Sequence, residues 1–307
     1  MKHTKLIFLL WALCVIVVHN LYVQPASVTL LPLTEVRAGM KGEVWTVFKG
    51  RDAEPFAVTV TGILRNALGP GKSMILCELT DPRVQSMGAV AGMSGSPLYL
   101  DGKLAGVLSY QIQRFETVRY AGFTPISDML EVSALPPVKD GLAPTPIPIK
   151  GERQGVRSAG DFSAQFNPII PAFSLGGLAP DVAAVLQPQF TALGLNVTAL
   201  GGNDSGADTP AGTIPLTLRP GDVVAVALAT GDISLAGTGT VSHVDGNRIL
   251  AFGHPLLSLG ATELPMASAE VVAILPSQLN SIKVTNTGGI IGAFSQDRLS
   301  GIYGELG

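Results

Sequence analysis

Cysteine, charge and histidine are all scarce in this chain, and each scarcity narrows what it can be. Two cysteines occur in 307 residues, Cys14 and Cys77. Cys14 lies within an N-terminal apolar run, so the rest of the chain carries one thiol and no internal disulfide. Cys77, in Met74-Ile75-Leu76-Cys77-Glu78-Leu79, reads as a buried strand thiol. Charged residues are 14% and the formal net charge is −3, with no window of clustered Lys and Arg. That leaves no surface suited to nucleic acid. The four histidines include no pair at metal-ligand spacing, and no Cys cluster exists, so neither a metal nor another cofactor is expected. The longest N-terminal apolar run, Leu6 to Val18, is short for a membrane span.

That run follows Lys2, His3 and Lys5, the pattern of an export signal. Residues 1–27 are therefore expected to be a signal peptide or a signal anchor. The chain would be exported across the cytoplasmic membrane, to be secreted, periplasmic or anchored. Apolar character continues weakly through Tyr22 and Val23, and Gln24-Pro25-Ala26-Ser27 is a poor cleavage site, so anchoring through residues 6–23 stays open.

What the chain has in quantity is glycine (36), proline (22) and short Val/Ile/Leu/Thr runs. Together with 47% apolar residues these predict an all-β globular protein with many turns. Residues 28–135 form a first β block, with strands at 58–61 and 74–79 and a short helical piece around Met129. Gly69-Pro70-Gly71-Lys72-Ser73 imitates a phosphate-binding loop. Asn66 stands where a glycine is needed and a strand follows, so it reads as a β-turn. Residues 136–212 are a Pro/Gly-rich linker with one short helix near 179–195, broken or kinked by Pro188. Residues 213–307 are a second β block, with strands at 223–228, 233–244 and 249–252 and a hairpin turn at Asp245-Gly246.

The chemistry-bearing stretch is Gly92-Met93-Ser94-Gly95-Ser96-Pro97. A serine hydroxyl is a poor nucleophile unless a turn bares it and a base stands beside it. Gly92 and Gly95 permit a sharp turn on either side of Ser94. Such a turn can aim the amides of Gly92 and Ser94 at one point, as an oxyanion hole requires. The run Leu98 to Tyr110, broken at Asp101-Gly102, reads as a β-hairpin. The serine thus sits on a loop feeding a strand, as in the Gly-x-Ser-Gly turn of chymotrypsin-like peptidases, and not on a strand-turn-helix elbow.

His3 and His19 belong to the export segment, which leaves two candidate bases. His243, mid-strand in Thr240-Val241-Ser242-His243-Val244, also reads as an edge-strand side chain. His254 ends a strand in Ala251-Phe252-Gly253-His254-Pro255, and reads either as a base or as a structural loop histidine. Asp81, before Pro82, is a candidate partner for the imidazole and equally a turn residue. Asp101, Asp222 and Asp245 read more simply as turn residues. Ser96 is a competing nucleophile in principle, and its place before Pro97 favours a structural role.

Several segments together resemble the SpoIVB-type serine peptidases. They are Ala38-Gly39-Met40-Lys41-Gly42 with Val44 to Phe48, Leu79 to Arg83, Ala91 to Pro97, Asp101-Gly102-Lys103, and Ile126 to Leu130. A second set is Gly237 to Val241, Leu250 to His254, and Gly301 to Gly304. The resemblance implies a chymotrypsin-like double β-barrel and a serine endopeptidase acting on a protein or peptide. It maps the nucleophile onto Ser94, the base onto His254 and the acidic partner onto Asp81. In that family the Gly-His segment precedes the serine segment, whereas here it follows, and the family's PDZ module is not recognisable. A permuted order is compatible with the mechanism, since a triad is defined by geometry. Two alternatives stand beside this reading. One is a non-catalytic β-barrel module that binds peptide or partner protein. The other is a fragment of a larger peptidase.

Overall fold

The computed structural model describes residues 28–112, 118–136, 166–169, 171–192, 195, 197–199, 202–203, 217–277 and 281–307. The expected leader at 1–27 and more than half of the expected linker at 136–212 lie outside them. Among the described residues no helix is long and apolar enough to cross a membrane.

The fold is mostly β, as the composition predicted. The first block supplies β1 (Lys41–Val47), β2 (Ala53–Leu64), β3 (Met74–Leu79), β4 (Pro97–Leu100), β5 (Lys103–Ile112) and β6 (Tyr120–Pro125). These pair antiparallel in the order β4-β1-β2-β3-β6-β5, and a β4–β5 pairing closes the ring. Closure leaves none of the six with an open edge along the ring. Asp101 and Gly102, at φ 49° and 74°, make the tight β4–β5 hairpin turn that the sequence predicted. Val44, Phe56, Val58, Ile75, Cys77, Leu98 and Phe123 fill this barrel. Burial pushes the Cys77 thiol pKa up, so the thiol stays neutral and serves as a small hydrophobe.

The second block supplies β11 (Val223–Ala229), β12 (Ser234–Asp245), β13 (Arg248–Ala251), β14 (Gly260–Leu275), β15 (Ile282–Arg298) and β16 (Gly301–Leu306). Their order is β11-β14-β15-β16-β13-β12, closed by β11–β12. Between the barrels in sequence lie four short strands, β7 (Phe166–Pro168), β8 (Ala172–Gly176), β9 (Val197–Thr198) and β10 (Gly202–Asn203). β7 extends the first sheet, and β8 and β9 extend the second.

The helices are α1 (Pro82–Met87), α2 (Ile126–Ser133) and α3 (Pro180–Ala192). α1 stands where a strand end and turn were expected. Asp81 caps it and Pro82 opens it, a start signal that its short length concealed. α3 runs through Pro188, where a break or kink was expected.

β14 and β15 were not foreseen as strands. They form a hairpin whose near half belongs to the second barrel, while its far half reaches the first. Val271 bridges to Gly50, and Ile282 bridges to Ala91. The barrels meet over a layer of small side chains. Ala225, Ala227, Ala236, Ala267 and Ala269 pack with Val47, Val223 and Val271. In β11 the larger Val224 and Val226 point into the barrel while Ala225 and Ala227 point at its neighbour. Alanine on that outer face lets two sheets approach closely.

The closest approach is at Gly95 (φ 94°), where a Cβ would run into the Thr240 carbonyl and the Phe252 amide. Gly39 has a similar φ of 86° but open space around it. Gly39→Ala should therefore cost only backbone strain, about 1 kcal/mol, while Gly95→Ala adds overpacking for a total of about 3 kcal/mol or more. Chemical denaturation of both variants measures the difference; equal losses would mean that the barrels do not interlock at Gly95.

Candidate active site

Ser94 lies on the turn between α1 and β4, at the face where the first barrel meets the second. The amides of Met93, Gly95 and Ser96 donate to Val90 O (2.9 Å), Leu108 O (2.7 Å) and Met93 O (3.0 Å). Main-chain bonds do not take up the amides of Gly92 and Ser94 among the described residues. Three hydrogen bonds from β12 hold the turn's carbonyls. Thr240 N donates to Ser94 O at 2.8 Å, Thr240 Oγ1 to Gly92 O at 3.1 Å, and Ser242 Oγ to Gly95 O at 2.9 Å. Ser96, the other candidate nucleophile, donates its hydroxyl to Met93 O at 2.6 Å and so braces the turn.

His254 follows β13 on a turn of the second barrel. Phe252 and Gly253 adopt φ of 70° and 68°. Left-handed backbone costs a phenylalanine about 1 kcal/mol, which burial of its ring in the barrel core offsets. Gly253 presses onto the first barrel: its carbonyl accepts from Thr124 Oγ1 at 2.7 Å, and a Cβ there would strike Ser109 Oγ and Val107. Phe252 N donates to Thr240 O at 3.3 Å. Thr240 thus joins the serine turn on one side to the Gly-His turn on the other.

The His254 ring is fully buried. Nδ1 lies 2.8 Å from Pro255 O, and a carbonyl can only accept, which assigns the proton to Nδ1. Burial lowers its pKa to about 4, against the opposing pull of the Pro255 carbonyl, the Asp297 carboxylate and the Ile169 carbonyl. The ring is therefore neutral at pH 7, with Nε2 as the basic nitrogen. Ser94 Oγ and His254 Nε2 are both buried and without a hydrogen-bonding partner, so the two are not bonded to each other in this structure.

Asp81 makes no hydrogen bond to either of this pair among the described residues. Its Oδ1 accepts from Arg83 N (2.8 Å) and Nε (3.2 Å), and its Oδ2 from Arg83 Nη2 (3.1 Å). The Arg83 side chain holds the carboxyl below its usual range. Arg83 also reaches Glu54 and Pro55 O and lies over the Phe48 ring, 4.2 Å from its centroid. The carboxylate whose charge acts on His254 is Asp297 of β15. Asp297 is buried, and it accepts three main-chain hydrogen bonds from the loop after His254. These come from Leu256 N (2.8 Å), Leu257 N (2.8 Å) and Leu259 N (3.1 Å). His243, the alternative base, stands half-buried on β12, its pKa lowered by burial. Among the described residues no group of three His, Cys, Asp or Glu side chains is placed to hold a metal ion.

Residues 17–129 match the family model of the SpoIVB peptidase S55. No curated protein and no solved structure matches the chain. The matched segment contains Ser94 and Asp81 and ends before His254. The similarity to SpoIVB peptidases therefore supports a serine peptidase through the first barrel, and the second barrel is known from its geometry alone.

Sequence reasoning missed three contributors to this site, namely Thr240, Asp297 and Lys283. Lys283 is on β15, and its main-chain amide donates to Ala91 O at 3.0 Å. Its side chain is 1% exposed and crosses Gly92: its Cβ, Cδ and Cγ lie 3.1, 3.2 and 3.3 Å from where a Gly92 Cβ would be. Its Nζ donates to Thr46 Oγ1 at 2.9 Å. Burial alone lowers its pKa from 10.5 to about 7. Between those values the unfolded chain holds a proton that the folded one lacks, so stability should rise as pH climbs from about 7 towards 10.5. The gain is on the order of a few kcal/mol. Urea midpoints at pH 7 and 9 check it: wild type should gain over Lys283→Met, and parallel pH dependence would show that Lys283 titrates normally.

Proposed function

We propose that the protein is a serine endopeptidase in which Ser94 is the nucleophile and His254 the general base. The observation that carries this reading is the packing of two glycine-bearing turns from different barrels around Thr240. That packing, in which Thr240 bonds both the Ser94 turn and the strand end before His254, supports a reading in which the serine and the neutral imidazole act together. In the mechanism, Ser94 Oγ attacks a peptide carbonyl while its proton passes to His254 Nε2. The amides of Gly92 and Ser94 hold the oxyanion. Collapse of the tetrahedral species breaks the C–N bond, and the imidazolium returns its proton to the departing amine. Water then attacks the acyl-enzyme, with His254 again taking the proton. In this reading Asp297 fixes the His254 loop, and the Asp81 carboxylate, committed to Arg83, braces α1 and the approach to the serine turn.

Catalysis requires that the site open, because Ser94 and His254 are both fully buried and not bonded to each other. Hydrogen bonds between catalytic groups often tighten only when substrate is bound. The same observation favours a second reading, a non-catalytic module in which the two turns serve as architecture. Labelling by a fluorophosphonate probe separates the readings. Under the first, wild type labels, Ser94→Ala does not, and His254→Ala labels slower by about two to four orders of magnitude. Equal labelling of wild type and Ser94→Ala would remove the peptidase reading.

Export belongs to the same proposal, on the strength of Lys2, Lys5 and the apolar run that follows them. Cell fractionation of the full chain is expected to place it outside the cytoplasm or in the membrane fraction. Recovery wholly in the cytoplasm would exclude it.

A further inference from the structure

The far half of the β14–β15 hairpin leaves its own barrel and lies along the segment that leads into the serine turn. Ala91 N donates to Ser281 O at 2.8 Å, and Lys283 N donates back to Ala91 O at 3.0 Å. Ser281 Oγ donates to Met87 O at 2.8 Å, at the end of α1. The hairpin thus makes a parallel bridge to Ala91, immediately before Gly92, and a side-chain bond to Met87. The side chain it delivers there is Lys283, whose stem covers the open face of Gly92.

A buried lysine at this position is energetically odd. Its ammonium has three donors, and the acceptor it meets among the described residues is one neutral hydroxyl, Thr46 Oγ1. None of the ion pairs among the described residues includes it. It meets Thr46 from β1 and Gly92 from the serine turn and pairs with Ile274 across the β14–β15 hairpin, none of them charged, and burial is what shifts its pKa. A methionine would fill the same channel without the cost of desolvating an ammonium. Buried ionisable groups without structural partners concentrate at functional sites.

We propose that Lys283 is a positioning residue of the serine turn, its stem fixing Gly92 and its ammonium supplying positive charge beside the oxyanion amides. This rests on the peptidase reading and adds to it a requirement from the second barrel. The stem holds Gly92 at the φ of 95° that directs its amide. The charge acts in a water-poor interior, where one cation near a developing oxyanion counts for more than it would in solvent. Activity then needs neutral His254 and charged Lys283. The rate rises through the His254 pKa at about 4 and falls through the Lys283 pKa at about 7.

The test compares full-length wild type, Lys283→Met and Thr46→Val by rate of fluorophosphonate labelling across pH, with thermal unfolding alongside. Lys283→Met should be as stable as wild type or more so, yet label about 10²-fold slower, the loss seen when one oxyanion donor is removed. Its alkaline limb near pH 7 should vanish. Thr46→Val keeps the lysine and removes the acceptor that favours the ammonium, so its alkaline limb should move to lower pH. Ser94-dependent labelling that is equally fast in Lys283→Met, with an unchanged pH profile, overturns this proposal and leaves the peptidase reading in place. If Lys283→Met does not fold, an unshifted limb in Thr46→Val overturns it in the same way. Labelling of wild type that does not depend on Ser94 removes the peptidase reading, and this proposal with it.

Discussion

Thr240 uses its main chain in both directions at the centre of the molecule. Its amide donates to Ser94 O, and its carbonyl accepts from Phe252 N. One residue of β12 therefore joins the serine turn of the first barrel to the Gly-His turn of the second. The hydroxyl adds a bond to Gly92 O, and Ser242 adds one to Gly95 O. These bonds join residues that are fully buried, so breaking any one of them leaves a buried polar group unsatisfied. Everything nearby follows from that constraint. Gly95 must lack a side chain, Gly253 must lack one too, and the facing outer strands carry alanine.

Burial acts on the three side chains proposed to function here with opposite consequences. It keeps His254 neutral, which suits a base, and it leaves Ser94 Oγ without a partner. It places Lys283 where proton loss competes with charge near neutrality. A site sealed this tightly has strong internal electrostatics and no open path for a polypeptide. The proposed activity therefore requires that the site open when substrate binds.

Much of the first barrel was legible beforehand. Alternation at 58–61 and 74–79, the Asp101-Gly102 turn and the paired glycines around Ser94 each carry a local physical signal. The second barrel was read only in part. β11, β12 and β13 announced themselves through apolar runs and the turn near Gly246. β14 and β15 did not, because Pro265, Gly288, Gly289 and a series of threonines interrupt any simple pattern. Those strands alternate between a barrel and a neighbouring domain, so polar and apolar residues both point inward along them. Asp81 and Asp297 show the limit of nearness in sequence: Asp81, thirteen residues before the serine, bonds Arg83 and caps α1, while Asp297, far away in sequence, closes on the histidine loop.

By itself the sequence determined the chemistry that is carried locally: a serine bared between two glycines, a histidine delivered by a Gly-His turn, and strands of the right length and pattern for barrels. Such features depend on residues within a few positions of one another, and local backbone preference settles them. Only the tertiary structure decided which distant groups share the buried seam, because contacts between Thr240 and Ser94, Asp297 and the His254 loop, or Lys283 and Gly92 depend on how two closed barrels dock. A lysine in an alternating strand looks the same in sequence whether it faces water or the underside of a buried serine turn.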